Sequence, residues 1–166
     1  KKIQSIIISN GVIPIPEIPI PFLFKLWKYF TAYAPYIPVG RIIDIASISK
    51  LSKAESKAYN LPFQAGRSKK ALRVLPSQLP FKKGSSEYIM IEDIWEKFKI
   101  WQKPFLTLFS DKDAITQNFE KNFINKVPGA KSQPHKILPG GHFIQEDVPE
   151  ELVKCIHQFI LSNEMA

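Results

Sequence analysis

The chain has 166 residues, 45% hydrophobic and 23% charged, a composition that can build a packed core and lies outside the disordered and fibrous classes. Its formal net charge of +8 raises the question of nucleic acid, yet the basic residues are spread in ones and twos, with Arg67, Lys69, Lys70 and Arg73 the only dense group, so the excess reads as solvated surface and no nucleic-acid partner is expected. Prolines cut the most apolar region into runs far shorter than the roughly 18 residues of a membrane span, and the single cysteine, Cys155, excludes a disulfide framework and favours a reducing, cytoplasmic compartment with no membrane contact.

In chain order, Ile6-Ile7-Ile8 is a β-branched run that reads as a central strand. The two lysines before it and the short apolar run are too little for a signal peptide. A parallel strand at a chain start lacks a neighbour for half its backbone groups, so further sheet is expected upstream. The Pro-alternating segment GVIPIPEIPIP cannot donate enough hydrogen bonds for an interior strand or helix and reads as an extended excursion. Phe22, Leu23, Leu26, Trp27 and Phe30 then form a helical apolar stripe, which predicts a buried face. Trp27 reads either as core or, through its indole N–H, as a donor to a ligand. From residue 35 to 100 the pattern is helical and irregular. Ser52 with Glu55 three residues on is a capping box, and Asn60-Leu61-Pro62-Phe63 breaks the helix it starts. Ile91, Ile94, Trp95, Phe98 and Trp101 lie on or near one face of a later helix, with Trp95 and Trp101 read as core.

The stretch from Pro104 to Asp147 carries the chemistry. PFLTLF has the length and bounding turn signals of a buried strand, and SDKD leaves carboxylates at its C-terminal end, the edge of a parallel sheet where ligands bind. Ile115, Phe119, Phe123 and Val127 predict a helix with one buried face, closed by Pro128-Gly129. SQPHKIL predicts the next strand, after which Gly140-Gly141 permits a tight turn that presents His142 at the same edge. An aspartate and a histidine so placed can act as orienting acid and general base, the order in which α/β-hydrolases present them after the nucleophile. Asp113 is the candidate acid; Asp111 competes for the role, and the bland alternative for either is a solvated turn carboxylate. In DVPEEL, Asp147 reads as the N-cap of a last helix whose buried face is Leu152, Val153, Ile156, Phe159 and Ile160, with Cys155 a buried structural thiol. His157 reads as helix surface, and His135 as a strand residue away from the Gly-Gly turn. No metal-ligand spacing, no phosphate-cradling glycine loop and no GxSxG elbow occurs, so the chain offers neither a metal site nor a nucleophile.

FSDKDAIT, PGAKSQPHKIL and above all PGGHFIQEDVPEEL resemble the C-terminal part of the haloalkane dehalogenases, a branch of the α/β-hydrolase superfamily; LWKYF, PVGRI and AESKAYNLPF resemble that family's cap. The resemblance implies a partial α/β-hydrolase fold, about three parallel strands with flanking helices and an inserted all-helical cap. Residues 1–13 and 103–166 would form the core portion and residues 14–102 the cap. It implies Asp113 as catalytic acid, His142 as base and Trp27 as a halide-binding N–H donor, with an aspartate nucleophile lying upstream of this chain. It implies no cofactor, a small halogenated or other hydrophobic substrate, and a partner polypeptide carrying the nucleophile, without which the chain is expected to be inactive. Past Phe63 the likeness weakens through QAGRSKKALRVLP, where a cap would choose its substrate. The alternatives are another α/β-hydrolase, such as an epoxide hydrolase using cap tyrosines (Tyr29, Tyr33, Tyr36, Tyr59), or a non-catalytic remnant.

Overall fold

The computed structural model describes residues 3–18, 20–63 and 68–164. The order of elements is β1 (Ile6–Ser9), α1 (Phe22–Tyr33), α2 (Val39–Ala46), α3 (Lys53–Asn60), α4 (Lys70–Val74), α5 (Ser86–Lys99), β2 (Phe105–Ser110), α6 (Glu120–Lys126), β3 (Lys136–Leu138), α7 (Ile144–Asp147) and α8 (Pro149–Glu164), with short 3-10 turns at Leu61–Phe63, Leu75–Gln78 and Pro128–Ala130. The chain divides into two compact units: Lys1–Val12 with Ile45–Lys50 and Lys97–Ala166, and Ile13–Asp44 with Leu51–Glu96.

The first unit is built on a parallel sheet in the order β1-β2-β3, with Ile6 opposite Phe105 and Leu108 opposite Lys136. All six residues of β2 are buried, which identifies it as the central strand. Among the described residues β1 pairs with β2 alone, and Ile6, Ile7 and Ile8 are half-buried. Alternation along β2 sends its side chains to opposite faces. Leu106 and Leu108 join Leu138, Ile144, Leu152, Cys155 and Phe159 beneath α8. On the other face Phe105 meets Phe98 edge-on at 5.5 Å and Phe123 at 5.5 Å, and Phe119 meets Phe123 at 5.3 Å.

Two helices of this unit depart from their sequence pattern. The helix predicted from Ile115 begins only at Glu120, because the Asp113 carboxylate takes the Ile115 N–H and the chain passes through Asn118 at φ 65°. Ile115 is accordingly exposed, while Phe123 and Val127 are buried. The last helix buries Leu152, Cys155 and Phe159, whereas Val153 and Ile160, predicted for that face, are exposed. Asp147 does not cap it: Asp147 ends α7, and its carboxylate is engaged elsewhere.

The second unit is helical. Ser52 caps α3 and both halves of the capping box form, as the sequence predicts. Trp95 is buried and donates its indole N–H to the Pro14 carbonyl at 2.8 Å, fastening the proline-rich excursion; Ile91, four residues earlier on the same helix, is buried too. Helix α1 reverses the expectation. Its one buried residue is Thr31, while Phe22, Leu23, Leu26 and Phe30 are exposed, because the helix meets α4 and the Leu75–Gln78 turn through its opposite side. Arg73 is drawn out of the basic group to donate to the carbonyls of Thr31, Ala32 and Ala34, where a cation complements the C-terminal end of α1. Arg67 of that group lies outside the described residues. No described helix is long and apolar enough to cross a membrane.

Phe123 is fully buried among three other rings, so Phe123→Ala is expected to cost about 3–5 kcal/mol by removing ring contacts and leaving a cavity. Phe22, at 75% exposure, is expected to tolerate alanine within about 0.5 kcal/mol. Urea unfolding of the two variants checks the pair; equal midpoints would contradict the packing described.

Candidate active site

In a parallel sheet every strand points the same way, so the residues that follow β1, β2 and β3 come to one edge. Here they are Asn10, the turn from Asp111 to Thr116, and Gly140-Gly141-His142. The turn after β2 is folded by Asp113 itself. One carboxylate oxygen accepts the Ile115 N–H at 2.8 Å, and the other accepts the Thr116 hydroxyl. That second oxygen also lies 3.0 Å from His142 Nδ1. Asp113 is 1% exposed and the histidine side chain 26%, so the carboxylate is enclosed while the imidazole reaches solvent. A carboxylate can only accept, which puts the proton on Nδ1 and leaves a lone pair on Nε2 at the far side of the ring. That arrangement can take a proton from a water or nucleophile at Nε2 while the anion stabilises the imidazolium. Phe143 adds an edge-on ring contact at 5.1 Å.

The backbone that carries His142 is held group by group. Gly140 N–H goes to Asp111 Oδ1 at 3.0 Å, and Gly140 C=O accepts Lys112 N–H at 3.0 Å. Gly141 N–H goes to Asp147 Oδ2 at 2.7 Å; His142 N–H goes to the Ala46 carbonyl at 2.8 Å. The carbonyls of Gly141 and His142 both accept from Asn10 Nδ2, at 2.8 and 2.9 Å. Asn10 is buried, and it also exchanges hydrogen bonds with Ser110 through both ends of its amide. The two glycines are not needed for a left-handed turn, since neither has positive φ. They are needed for closeness: a Cβ on Gly141 would stand 2.5 Å from the Ala46 carbonyl oxygen, and one on Gly140 3.2 Å from Ser110 Oγ.

Asp113 and His142 are therefore together, and Asp111, the rival acid, instead holds Gly140. His135 serves the sheet: its Nδ1 accepts the Thr107 N–H at 3.1 Å and Nε2–H donates to the Ala130 carbonyl at 2.7 Å. His157 is exposed on α8 and Cys155 is buried and free. Trp101 is half-buried, with its indole N–H unpartnered. Trp27 belongs to the second unit; it is 37% exposed, lies 5.6 Å from Phe30, and is not a buried core ring. Among the described residues no group of three or more His, Cys, Asp or Glu could hold a metal ion. Sequence reasoning missed Asn10, although an Asn-Gly pair directly after a β-branched strand is a signal for a special backbone, and Asn10 indeed has φ 41°.

No protein-family model matches the chain. It is 30% identical over 155 residues to a haloalkane dehalogenase of Mycolicibacterium paratuberculosis and 34% identical over 156 residues to one of Psychrobacter cryohalolentis, covering 93% of this chain and 52% of the relative in both cases. The chain thus spans about half the length of the curated relatives it matches. Among solved structures, haloalkane dehalogenase DpaA from Paraglaciecola agarilytica NO2 superposes with a TM-score of 0.79 at 18% identity, over 96% of this chain and 52% of that one. A DbeA loop variant from Bradyrhizobium elkanii gives 0.64 at 22% identity, over 76% of this chain and 42% of that one. The fold is a partial α/β-hydrolase fold with three parallel strands, as the sequence motifs imply.

Burial pushes the Asp113 carboxyl up, but hydrogen bonds from Thr116, His142 and Ile115 outweigh it and hold the group below the usual aspartate range. A carboxyl lowered by folding contributes stability that is complete above the ordinary value of about 3.9 and is lost as pH falls through the lower folded value. Asp113→Asn is therefore expected to destabilise the chain at pH 6 and to differ less from wild type on acidification below about pH 4. Urea unfolding of both proteins across that range tests this; a pH-independent difference would contradict it.

Proposed function

We propose that this chain, a relative of the haloalkane dehalogenases that matches a C-terminal part of them, supplies the acid–base half of a hydrolytic dehalogenation site. The Asp113–His142 hydrogen bond at the C-terminal sheet edge is the observation that carries the reading. In the reaction, a nucleophilic aspartate carboxylate from outside these 166 residues attacks the halogen-bearing carbon of a small hydrophobic substrate. The carbon–halogen bond breaks, halide leaves with the electron pair, and an alkyl ester joins substrate to protein. His142 Nε2 then takes a proton from a water whose oxygen attacks the ester carbonyl. Collapse of that tetrahedral centre returns the carboxylate and releases the alcohol, which takes up a proton from the imidazolium. Asp113 orients the ring and stabilises its cationic form. Trp27, 37% exposed, donates its indole N–H to the departing halide. The chemistry calls on side chains and water, with no cofactor. The free, buried Cys155 supports a cytoplasmic setting.

The alkylation step needs that carboxylate, so a polypeptide limited to these 166 residues is expected to release no halide. Halide release from a bromoalkane is expected only when the chain is mixed with the N-terminal half of a relative that carries the nucleophile. In that mixture His142→Ala and Asp113→Asn should lower the rate by about 100-fold or more, and Trp27→Phe by about 10- to 100-fold through loss of one hydrogen bond to an anion. Release by these 166 residues alone, or none at any mixing ratio, would defeat the reading that they supply the acid–base half of the site. Epoxide opening without halide release would favour an epoxide hydrolase instead.

A further inference from the structure

Asp147 was legible in sequence as a helix N-cap, and the structure gives its carboxylate different work. Oδ1 accepts the Ser49 N–H at 2.6 Å; Oδ2 accepts the Ile48 N–H at 3.1 Å and the Gly141 N–H at 2.7 Å. Next to these, the His142 N–H meets the Ala46 carbonyl, and Gly141 lies so close to that carbonyl that no side chain fits between. One carboxylate therefore joins the segment Ala46–Ser49 to the turn that carries the imidazole.

We propose that Asp147 is a positioning residue for His142, fixing the Gly140-Gly141-His142 turn against residues 46–49 so that the imidazole stands within hydrogen-bond reach of Asp113. The inference deepens the hydrolase reading and rests on it for the role of His142 as base. Three backbone N–H groups converge on the two oxygens of Asp147, so the site asks for acceptors at both positions. An asparagine, flipped either way, turns its NH2 against a backbone N–H. An N-cap makes the opposite demand, since Asn serves there as well as Asp. Asp147→Asn therefore separates the two roles without changing side-chain size.

The experiment uses the full chain labelled with ¹⁵N, and follows the His142 Nδ1–H resonance and the amides of Gly141, Ile48 and Ser49, with circular dichroism reporting the fold. Asp147→Asn and Asp147→Ala are expected to cause equal loss of the Nδ1–H resonance, while Asp147→Glu, which keeps two acceptor oxygens, recovers part of it. An Asn variant with the wild-type His142 resonance would overturn the proposal. Should Asp147→Asn fail to fold, the wild-type protein still decides. Burial pushes the Asp147 carboxyl up, the backbone N–H groups of Gly141, Ser49 and Ile48 outweigh it, and the group titrates below the usual aspartate range. The amides of Gly141, Ile48 and Ser49 and the His142 ring should move with that carboxyl's midpoint on acidification; amides that hold still would also overturn the inference. Failure of the hydrolase reading looks different: wild type mixed with the nucleophile-bearing half releases no halide, yet the resonances still respond to Asp147→Asn.

Discussion

An aspartate that is 1% exposed can remain charged only if donors answer its oxygens, and Asp113 has three: the Ile115 amide, the Thr116 hydroxyl and the His142 imidazole. The first two come from its own turn. The third comes from 29 residues away, and it can arrive only if two strands run parallel in a fixed register. The Asp113–His142 bond is thus a consequence of the sheet, and the sheet edge is in turn locked by it. Local donors orient Asp113, whereas the imidazole owes its orientation to a carboxylate 29 residues away.

The supports of that edge follow the same logic. Each peptide group from Gly140 to His142 would be costly to leave unpaired where it is buried, and each is met by a group distant in sequence or beyond the turn. Asn10 contributes most per atom: the two hydrogens of its amide nitrogen are shared among the Gly141 and His142 carbonyls and Ser110 Oγ, all within 2.9 Å, while its oxygen accepts the Ser110 N–H. Asp111 and Asp147 take the N–H groups of Gly140 and Gly141, and the Ala46 carbonyl takes that of His142. With the backbone so engaged, His142 has little freedom beyond rotation of its side chain, and the buried carboxylate restrains that as well. Such preorganisation is what the proposed role of His142 as a general base would call on.

The helical unit obeys a different logic. Its interior is defined by Ile15, Ile37, Ile43, Ile91 and Trp95, with a proline-rich segment fastened by Trp95. The aromatic side of α1, apolar by every pattern rule, is left exposed, and Arg73 closes the helix end instead. Apolar residues at helical spacing establish that a helix has an apolar side; they do not establish which neighbour covers it.

The sequence by itself determined the local events. A short apolar run announced the buried β2, Ser52 and Glu55 announced the start of α3, and FSDKD with PGGH announced an aspartate and a histidine at strand ends, because strand burial, capping and turn chemistry are properties of residues close together in the chain. The choice between Asp111 and Asp113 was beyond it: both sit in one turn, and only the position of β3 decides that the first meets Gly140 and the second meets the imidazole. Asn10 and Asp147 were beyond it as well, since the partners of Asn10 lie about 100 to 130 residues away and two of the three partners of Asp147 about 100. Long-range hydrogen bonds leave no periodicity in a sequence; they exist only once parallel strands have brought their ends to a common edge.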